Sequence, residues 1–230
     1  MLTLDSLTLR QGDFTLNADL TIKTGAQVAV IGPSGAGKST LLACIAGFLS
    51  PDSGRLLWQG DDITGTDPGQ RPLSVIFQDN NLFPHLTAAE NVALGLRPSR
   101  RLSADELSRV FASLTRVGLT GMDNRKPATL SGGQQSRVAL ARALLRAQPV
   151  MLLDEPFAAL GPGLKAEMLD LVAELARDTG ATVLMVTHDP QDALQLAGQT
   201  ILVADGMAHP PQDTSALFAD PPDALRAYLK

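Results

Sequence analysis

One stretch constrains the fold more than any other. Gln27-Val28-Ala29-Val30-Ile31 runs into Gly32-Pro33-Ser34-Gly35-Ala36-Gly37-Lys38-Ser39-Thr40, then into Leu41-Leu42-Ala43-Cys44-Ile45-Ala46-Gly47. A short apolar run before a glycine-rich turn reads as a buried strand, and the segment after the turn has helical composition. In that context the spacing G-x-x-x-x-G-K-[ST] carries meaning. Glycines let backbone N–H groups curl around an anion with no Cβ in the way. A helix beginning near Lys38 adds the positive end of its dipole. Lys38 would reach β- and γ-phosphates, and Ser39 would offer its hydroxyl to Mg²⁺. The alternative, a glycine-rich turn that binds nothing, is outweighed by the strand before it and the helix after it.

At 230 residues the chain is one domain or at most two, with room for a substantial core. Its net charge of −5 creates no global positive field, so no nucleic-acid partner is expected. The single cysteine, Cys44, has no internal disulfide partner, which favours a reducing compartment. It reads as small core filler on the helix after the glycine loop. No charged segment followed by an apolar one opens the chain, and no apolar window is long enough to cross a bilayer. The expectation is a soluble cytoplasmic globule.

Leu2 and Leu4 alternate in one phase and Leu7 and Leu9 in the other, so the first strand should carry a bulge near Asp5-Ser6. Residues 14–22 alternate as a half-buried strand, 55–59 are strand-like, and 73–77 form a short buried strand ending at Gln78. From 84 to about 147 the pattern turns helical. Thr87-Ala88-Ala89-Glu90 and Ser103-Ala104-Asp105-Glu106 both fit a capping box, with Pro98 separating the two helices. The second carries Leu107, Val110, Phe111, Leu114 and Val117 as an inward stripe. A third helix opens at Leu130-Ser131-Gly132-Gly133-Gln134. Strands at 150–153, 181–187 and 200–204 then alternate with helices at 163–178 and near 193–197. Asp205-Gly206 signals a hairpin, and one short helix is expected before the end. Alternation around a phosphate loop indicates an open, mainly parallel α/β sheet, with 84–147 as a helical insertion.

The chemistry gathers at strand ends. Asp154 and Glu155 follow an apolar strand, where such sheets bind ligands. The pair suits Mg²⁺ binding by Asp154, through water or Ser39, and polarisation of an attacking water by Glu155. The alternative is an acidic turn. His188 also follows a buried strand, where it either contacts a γ-phosphate or is simply hydrogen-bonded structure. Gln78 either donates to the water or coordinates Mg²⁺, or is a surface amide. His85 and His209 read as solvated loop residues. Residues 131–134 are either a second anion site or a plain N-cap with flexible glycines.

Taken in order, the glycine loop, Gln78, Leu130-Ser131-Gly132-Gly133-Gln134, Asp154-Glu155 and His188 closely resemble the ATP-binding subunit of ABC transporters. The run 130–134 is that family's own signature, and the resemblance covers nearly the whole chain. It implies an α/β fold: a P-loop NTPase (RecA-like), mainly parallel sheet with an antiparallel β subdomain and an inserted helical subdomain. Residues 1–230 would form a single ATP-binding domain, with the core and β subdomain in 1–83 and 148–230 and the helical insertion in 84–147.

The resemblance also implies a homodimer packed head to tail, with ATP between one subunit's phosphate loop and the other's signature. Gly32, Pro33, Ser34, Gly35, Ala36, Gly37, Lys38, Ser39 and Thr40 would cradle the phosphates. Ser131 and Gly133 would face the γ-phosphate of the opposite site, with Gly132 and Gln134 belonging to the same ATP-binding segment. Ser39, Gln78 and Asp154 would serve Mg²⁺, Glu155 would be the general base, and His188 the γ-phosphate switch. Gln78 would also sense the transporter subunit. Integral membrane permease subunits would seat a coupling helix against 79–87, around Phe83-Pro84-His85. A periplasmic solute-binding protein would act indirectly, and the ATPase would lie peripherally on the cytoplasmic face of the inner membrane.

Two departures stand out. The loop after the carboxylate strand usually reads Ser-Ala-Leu-Asp, but Ala158-Ala159-Leu160-Gly161 lacks the serine and the aspartate. The resemblance therefore does not extend to the inter-subunit link made there. The aromatic that stacks on adenine is absent near residues 9–11, leaving Phe14 or apolar contact alone. Residues 77–83, 91–96 and 202–206 are similar to thiamine-importer ATPases of Gram-negative bacteria, with iron and polyamine importers as the alternative. Soluble ABC ATPases acting on DNA or ribosomes carry two cassettes or a long coiled-coil insertion, and neither fits. A GTPase or small-molecule kinase leaves 130–134 unexplained, and the guanine-reading Asn-Lys-x-Asp is missing. The altered 158–161 loop keeps open an interaction subunit with weakened turnover.

Overall fold

The computed structural model describes residues 1–96 and 102–228; the separator read at Pro98 lies outside them. In chain order the strands are β1 (Leu2–Gln11), β2 (Phe14–Ile22), β3 (Gln27–Ile31), β4 (Ser53–Trp58), β5 (Asp61–Asp62) and β6 (Leu73–Ile76). They continue with β7 (Val150–Asp154), β8 (Thr182–Val186), β9 (Gln199–Ala204), β10 (Met207–Ala208) and β11 (Gln212–Asp213). The first four helices are α1 (Lys38–Ala46), α2 (Ala88–Ala93), α3 (Ala104–Arg116) and α4 (Gly132–Arg146). The others are α5 (Pro162–Thr179), α6 (Pro190–Leu196), α7 (Thr214–Ala219) and α8 (Asp223–Tyr228). The tail thus holds two short helices where one was expected, because Asp213 caps α7 through the Ala216 N–H while Pro221 and Pro222 separate α7 from α8.

A parallel block in the order β9-β3-β8-β7-β6 forms the centre. β7 and β8 are almost wholly apolar, as strands covered on both faces must be. The hairpin at Asp205-Gly206, both at positive φ, folds β10 back on β9, and β10 pairs in turn with β2. That joint carries the antiparallel run β2-β1-β4-β5. The phase slip in β1 is real: its register shifts between Leu4 and Leu7, with Ser6 at φ 49, so all four leucines reach the core. Parallel pairing brings the C-terminal ends of β3, β6, β7 and β8 to one edge, and the chemistry is there.

Capping boxes start α2 at Thr87, α3 at Ser103 and α4 at Ser131. The stripe read on α3 is narrower than expected. Val110, Leu114 and Val117 are buried, but Leu107 and Phe111 are 40% and 44% exposed. At about 100° per residue the mean direction of these two lies roughly 70° round the helix from that of the buried three, toward the edge of the face that α2 and α4 cover.

Arg71 holds the core side of α1. It is buried at 2% exposure, and its guanidinium donates to Cys44 O (2.7 Å), Ile45 O (2.8 Å), Thr64 O (2.8 Å) and Thr66 O (2.9 Å). It thereby satisfies the last carbonyls of α1 where the helix dipole is negative. Burial also raises the Cys44 thiol to about 11, opposed by the Arg71 charge, so this cysteine is inert filler as read. Arg71→Met keeps much of the volume but takes the donor from Ile45 O, Thr64 O and Thr66 O, while Cys44 O keeps the Gly47 N–H. It should cost about 3 kcal/mol, lowering Tm by roughly 10 °C in thermal unfolding.

Candidate functional site

Glycine geometry shapes the phosphate loop. At Gly32 a Cβ would sit 2.0 Å from the Val203 carbonyl oxygen, and at Gly37 (φ 100) 2.6 Å from the Phe14 ring. Gly37 is also the N-cap of α1, with no side-chain cap over the first turn. The free N–H groups of that turn and its dipole therefore remain available to an anion. Lys38 is buried, its Nζ donating to Gly32 O at 2.8 Å and Pro33 O at 2.9 Å. Desolvation lowers its pKa, against the opposing pull of Glu155 and Asp154. An anion in the loop would relieve that desolvation.

Asp154 ends β7 and accepts a hydrogen bond from Ser39 Oγ at 3.3 Å. Burial pushes its pKa up; the Ser39 bond pulls it down, Glu155 pushes it up again, and Lys38 pulls it down. A half-buried carboxylate beside a hydroxyl is a fitting pair of Mg²⁺ ligands when phosphates supply the rest. Among the described residues no group of three or more His, Cys, Asp or Glu side chains is placed to hold a metal unaided.

Glu155 has φ 45, a strained value for a residue with a Cβ. Its N–H bonds Val186 O at 3.1 Å, tying the turn to β8. Its carboxylate lies 3.0 Å from His188 Nδ1. A cavity of about 390 Å³ opens over the loop, lined also by Glu155, Gln11 and Phe14.

The structure therefore gathers the loop, Asp154, Glu155 and His188, as the strand ends predicted. Phe14 lines the cavity. Gln78 does not join them: it lies exposed just beyond β6 and does not line the cavity. Ser131-Gly132-Gly133-Gln134 is also outside the cavity. Here Ser131 Oγ accepts from Gln134 N at 3.3 Å, and the Gln134 side chain accepts from Ser131 N at 3.0 Å. Gly133 packs so closely that a Cβ would meet Leu164 at 2.3 Å. His85 is exposed and His209 half-buried in their loops.

A brace behind His188 had no sequence signal. Lys165 on α5 contacts Asp189 at 2.5 Å and Asp192 at 2.7 Å, and Thr187 Oγ donates to Asp192 at 2.6 Å. A lysine in an amphipathic helix reads as a solvated charge, and its partners lie more than a strand away in sequence. At the altered loop, Gly161 caps α5 without a side-chain bond.

A family profile described as ABC transporter matches residues 15–158. The thiamine import ATP-binding protein ThiQ of Cereibacter sphaeroides is 66% identical over 229 residues, covering 100% of this chain and 99% of that protein. The protein of the same name from a Ruegeria species is 56% identical over 229 residues, covering 100% and 99%. Among solved structures, a dimeric ATP-binding cassette in a post-hydrolysis state bound to ADP and Pi superposes with a TM-score of 0.80. It is 33% identical, over 93% of this chain and 99% of that one.

The hydrogen bond from Lys165 lowers the Asp189 pKa, burial opposes it, and the Gln191 N–H and the Lys165 charge lower it further. Because the folded value is depressed, the stabilisation is present above the unfolded value near 3.9 and is lost as pH falls through the folded one. Asp189→Asn keeps an N-cap of equal quality but removes the charge. The variant should be less stable at pH 7 by about 1 kcal/mol at most. Its stability should converge with that of the parent as the pH falls through the lowered folded-state value of Asp189.

Proposed function

Since this chain belongs to the ABC transporter family of ATPases, we propose that it is the ATP-hydrolysing subunit of an importer for thiamine or its phosphates. Support for the substrate comes from the names of the two relatives described above, each matched over the full chain. The observation that carries the chemistry is the meeting of Lys38, the Ser39–Asp154 pair and the Glu155–His188 pair at one sheet edge.

In this reading residues 1–230 form one ATP-binding domain with 84–147 inserted. The loop Gly32-Pro33-Ser34-Gly35-Ala36-Gly37-Lys38-Ser39-Thr40 and the open end of α1 bind the phosphates of ATP, and Lys38 moves its donors from loop carbonyls to phosphate oxygens. Ser39 and Asp154 would hold Mg²⁺, with Gln78 joining them only by moving from its exposed position beyond β6, and the ion would neutralise phosphate charge. Glu155 takes the proton of the attacking water, and His188, anchored on that carboxylate, faces the γ-phosphate. Phe14 and Gln11 form the wall toward the base. Ser131, Gly132, Gly133 and Gln134 serve the site of a second copy packed head to tail, which explains why they lie outside this subunit's own cavity. The dimeric state of the structural relative supports that arrangement.

The pair then drives integral permease subunits through the surface at 79–87, where Phe83 is 48% exposed. A periplasmic solute-binding protein delivers the solute. No helix among the described residues is long and apolar enough to cross a membrane, which fits a peripheral subunit held at the cytoplasmic face by its permease. ATP cross-links two faces, and hydrolysis removes the link, so closure becomes a two-state element set by one phosphate.

Glu155→Gln keeps size and removes the base, so turnover should fall about 10²- to 10⁴-fold and an ATP-bound dimer should accumulate on size exclusion. Ser131→Arg should leave nucleotide binding to the monomer intact while abolishing that dimer. Near-normal hydrolysis by the first variant sinks the role given to Glu155. Equal loss of nucleotide binding by Ser131→Arg and Lys38→Ala sinks the two-subunit site.

The substrate is tested in a thiamine-auxotrophic strain lacking this chain. It should require far more external thiamine than its parent, with iron and polyamine uptake normal. Unchanged thiamine uptake, or an iron defect instead, would move the assignment to another importer class.

A further inference from the structure

The chain contains one tyrosine, Tyr228, in the last turn of α8. Its hydroxyl donates a hydrogen bond to the backbone carbonyl of His188, forty residues earlier. Leu225, fully buried one turn before, anchors α8. It sits in an apolar cluster with Ile31, Leu202 and Ala193, against which the Tyr228 ring also packs. β3, which feeds the phosphate loop, and α6, which follows His188, thus share one cluster with the C-terminal segment.

His188 needs such support. Its side chain is 59% exposed and touches Glu155 only through Nδ1, so little packing aims the ring. What is held is the backbone on each side. Thr187 N–H bonds Val30 O at 3.2 Å, and Asp189 N–H bonds Thr187 Oγ at 3.0 Å while its carboxylate meets Lys165. The carbonyl of His188 belongs to the same planar peptide as the Asp189 N–H. The Tyr228 hydroxyl therefore holds from the carbonyl side the peptide that Thr187 Oγ holds from the amide side, and the two bonds together limit the tilt that would swing the imidazole off the Glu155 axis.

We propose that Tyr228 is a positioning residue for hydrolysis: through its hydroxyl the C-terminal helix sets the backbone of His188, and with it the orientation of the imidazole toward Glu155 and the γ-phosphate. The inference rests on the reading of His188 given above. Because Tyr228 is not among the residues that line the cavity, its loss should act on turnover and leave ATP affinity alone.

The test is steady-state hydrolysis of Mg-ATP by the full-length chain, with Tyr228→Phe beside His188→Ala. Phenylalanine retains the ring packing and deletes only the donor. Loss of one hydrogen bond to a positioning carbonyl should lower kcat about three- to tenfold, with KM for ATP unchanged and Tm within about 1 °C of the parent. His188→Ala should lose more. If His188→Ala is impaired and Tyr228→Phe is not, the inference falls while the role of His188 stands. If Tm falls together with kcat, the hydroxyl is merely structural and the inference is wrong. If His188→Ala hydrolyses normally, the reading of His188 fails and takes this inference with it.

Discussion

The tightest constraint in the molecule is the passage of Gly32 beside β9. A Cβ there would lie 2.0 Å from the Val203 carbonyl oxygen, so glycine alone lets the chain leave β3 while that strand stays paired with β9 through Ile31↔Leu202. On its other side β3 pairs with β8, and β8 with β7 through Asp154↔Val186. The same Val186 accepts the N–H of Glu155. Three strand pairings therefore fix the carbonyls that hold Lys38, the carboxylate beside Ser39, and the carboxylate beside His188. A site positioned by a sheet in this way does not depend on loops finding their own geometry.

The charges placed there are each uncomfortable alone. Burial is the leading cause both of the lowered Lys38 pKa and of the raised Asp154 pKa. A desolvated ammonium lacks an anion, and a desolvated carboxylate lacks a cation. Each partly serves the other, yet neither shift is cancelled. A magnesium nucleotide carries both missing charges, so on the proposed reading ligand binding stabilises the fold as well as filling the site. Glu155 adds backbone strain at φ 45, a cost of order 1–3 kcal/mol that persists only where the surroundings over-determine it. Its N–H bond to Val186 and the contact with His188 are those surroundings.

Features written in a few neighbouring residues could be read directly. The bulge in β1, the capping boxes at Thr87 and Ser103 and the glycine loop are each set by spacing within one segment, and each is present. Asp154, Glu155 and His188 were visible as strand ends, but their meeting depends on the order β3-β8-β7, which no local pattern encodes. Arg71, Lys165 and Tyr228 escaped for a related reason. Each is a long polar side chain whose partners are backbone carbonyls or carboxylates from distant segments, so composition gives no hint that it is not on a solvated surface. Leu107 and Phe111 erred the other way: periodicity shows which residues share a face, not how wide a strip the neighbouring helices cover. Gln78 and residues 131–134 stand apart for a third reason, since the proposed role of each requires a partner outside this chain.

The altered loop at 158–161 shows what a missing side chain does and does not remove. Gly161 opens α5 without the cap an aspartate there would provide, yet the start of that helix is held from both sides. Leu160 and Leu164 pack beneath Gly132 and Gly133 of the signature segment. Lys165, the next residue, is paired with Asp189 and Asp192 beyond His188. Within one subunit, then, contacts run unbroken from the signature through α5 to the His188 loop and on to Glu155. None of these contacts uses the serine or aspartate that the loop lacks. On the proposed reading the departure bears on what the loop can offer a second subunit, while the internal support of Glu155 and His188 is complete without it.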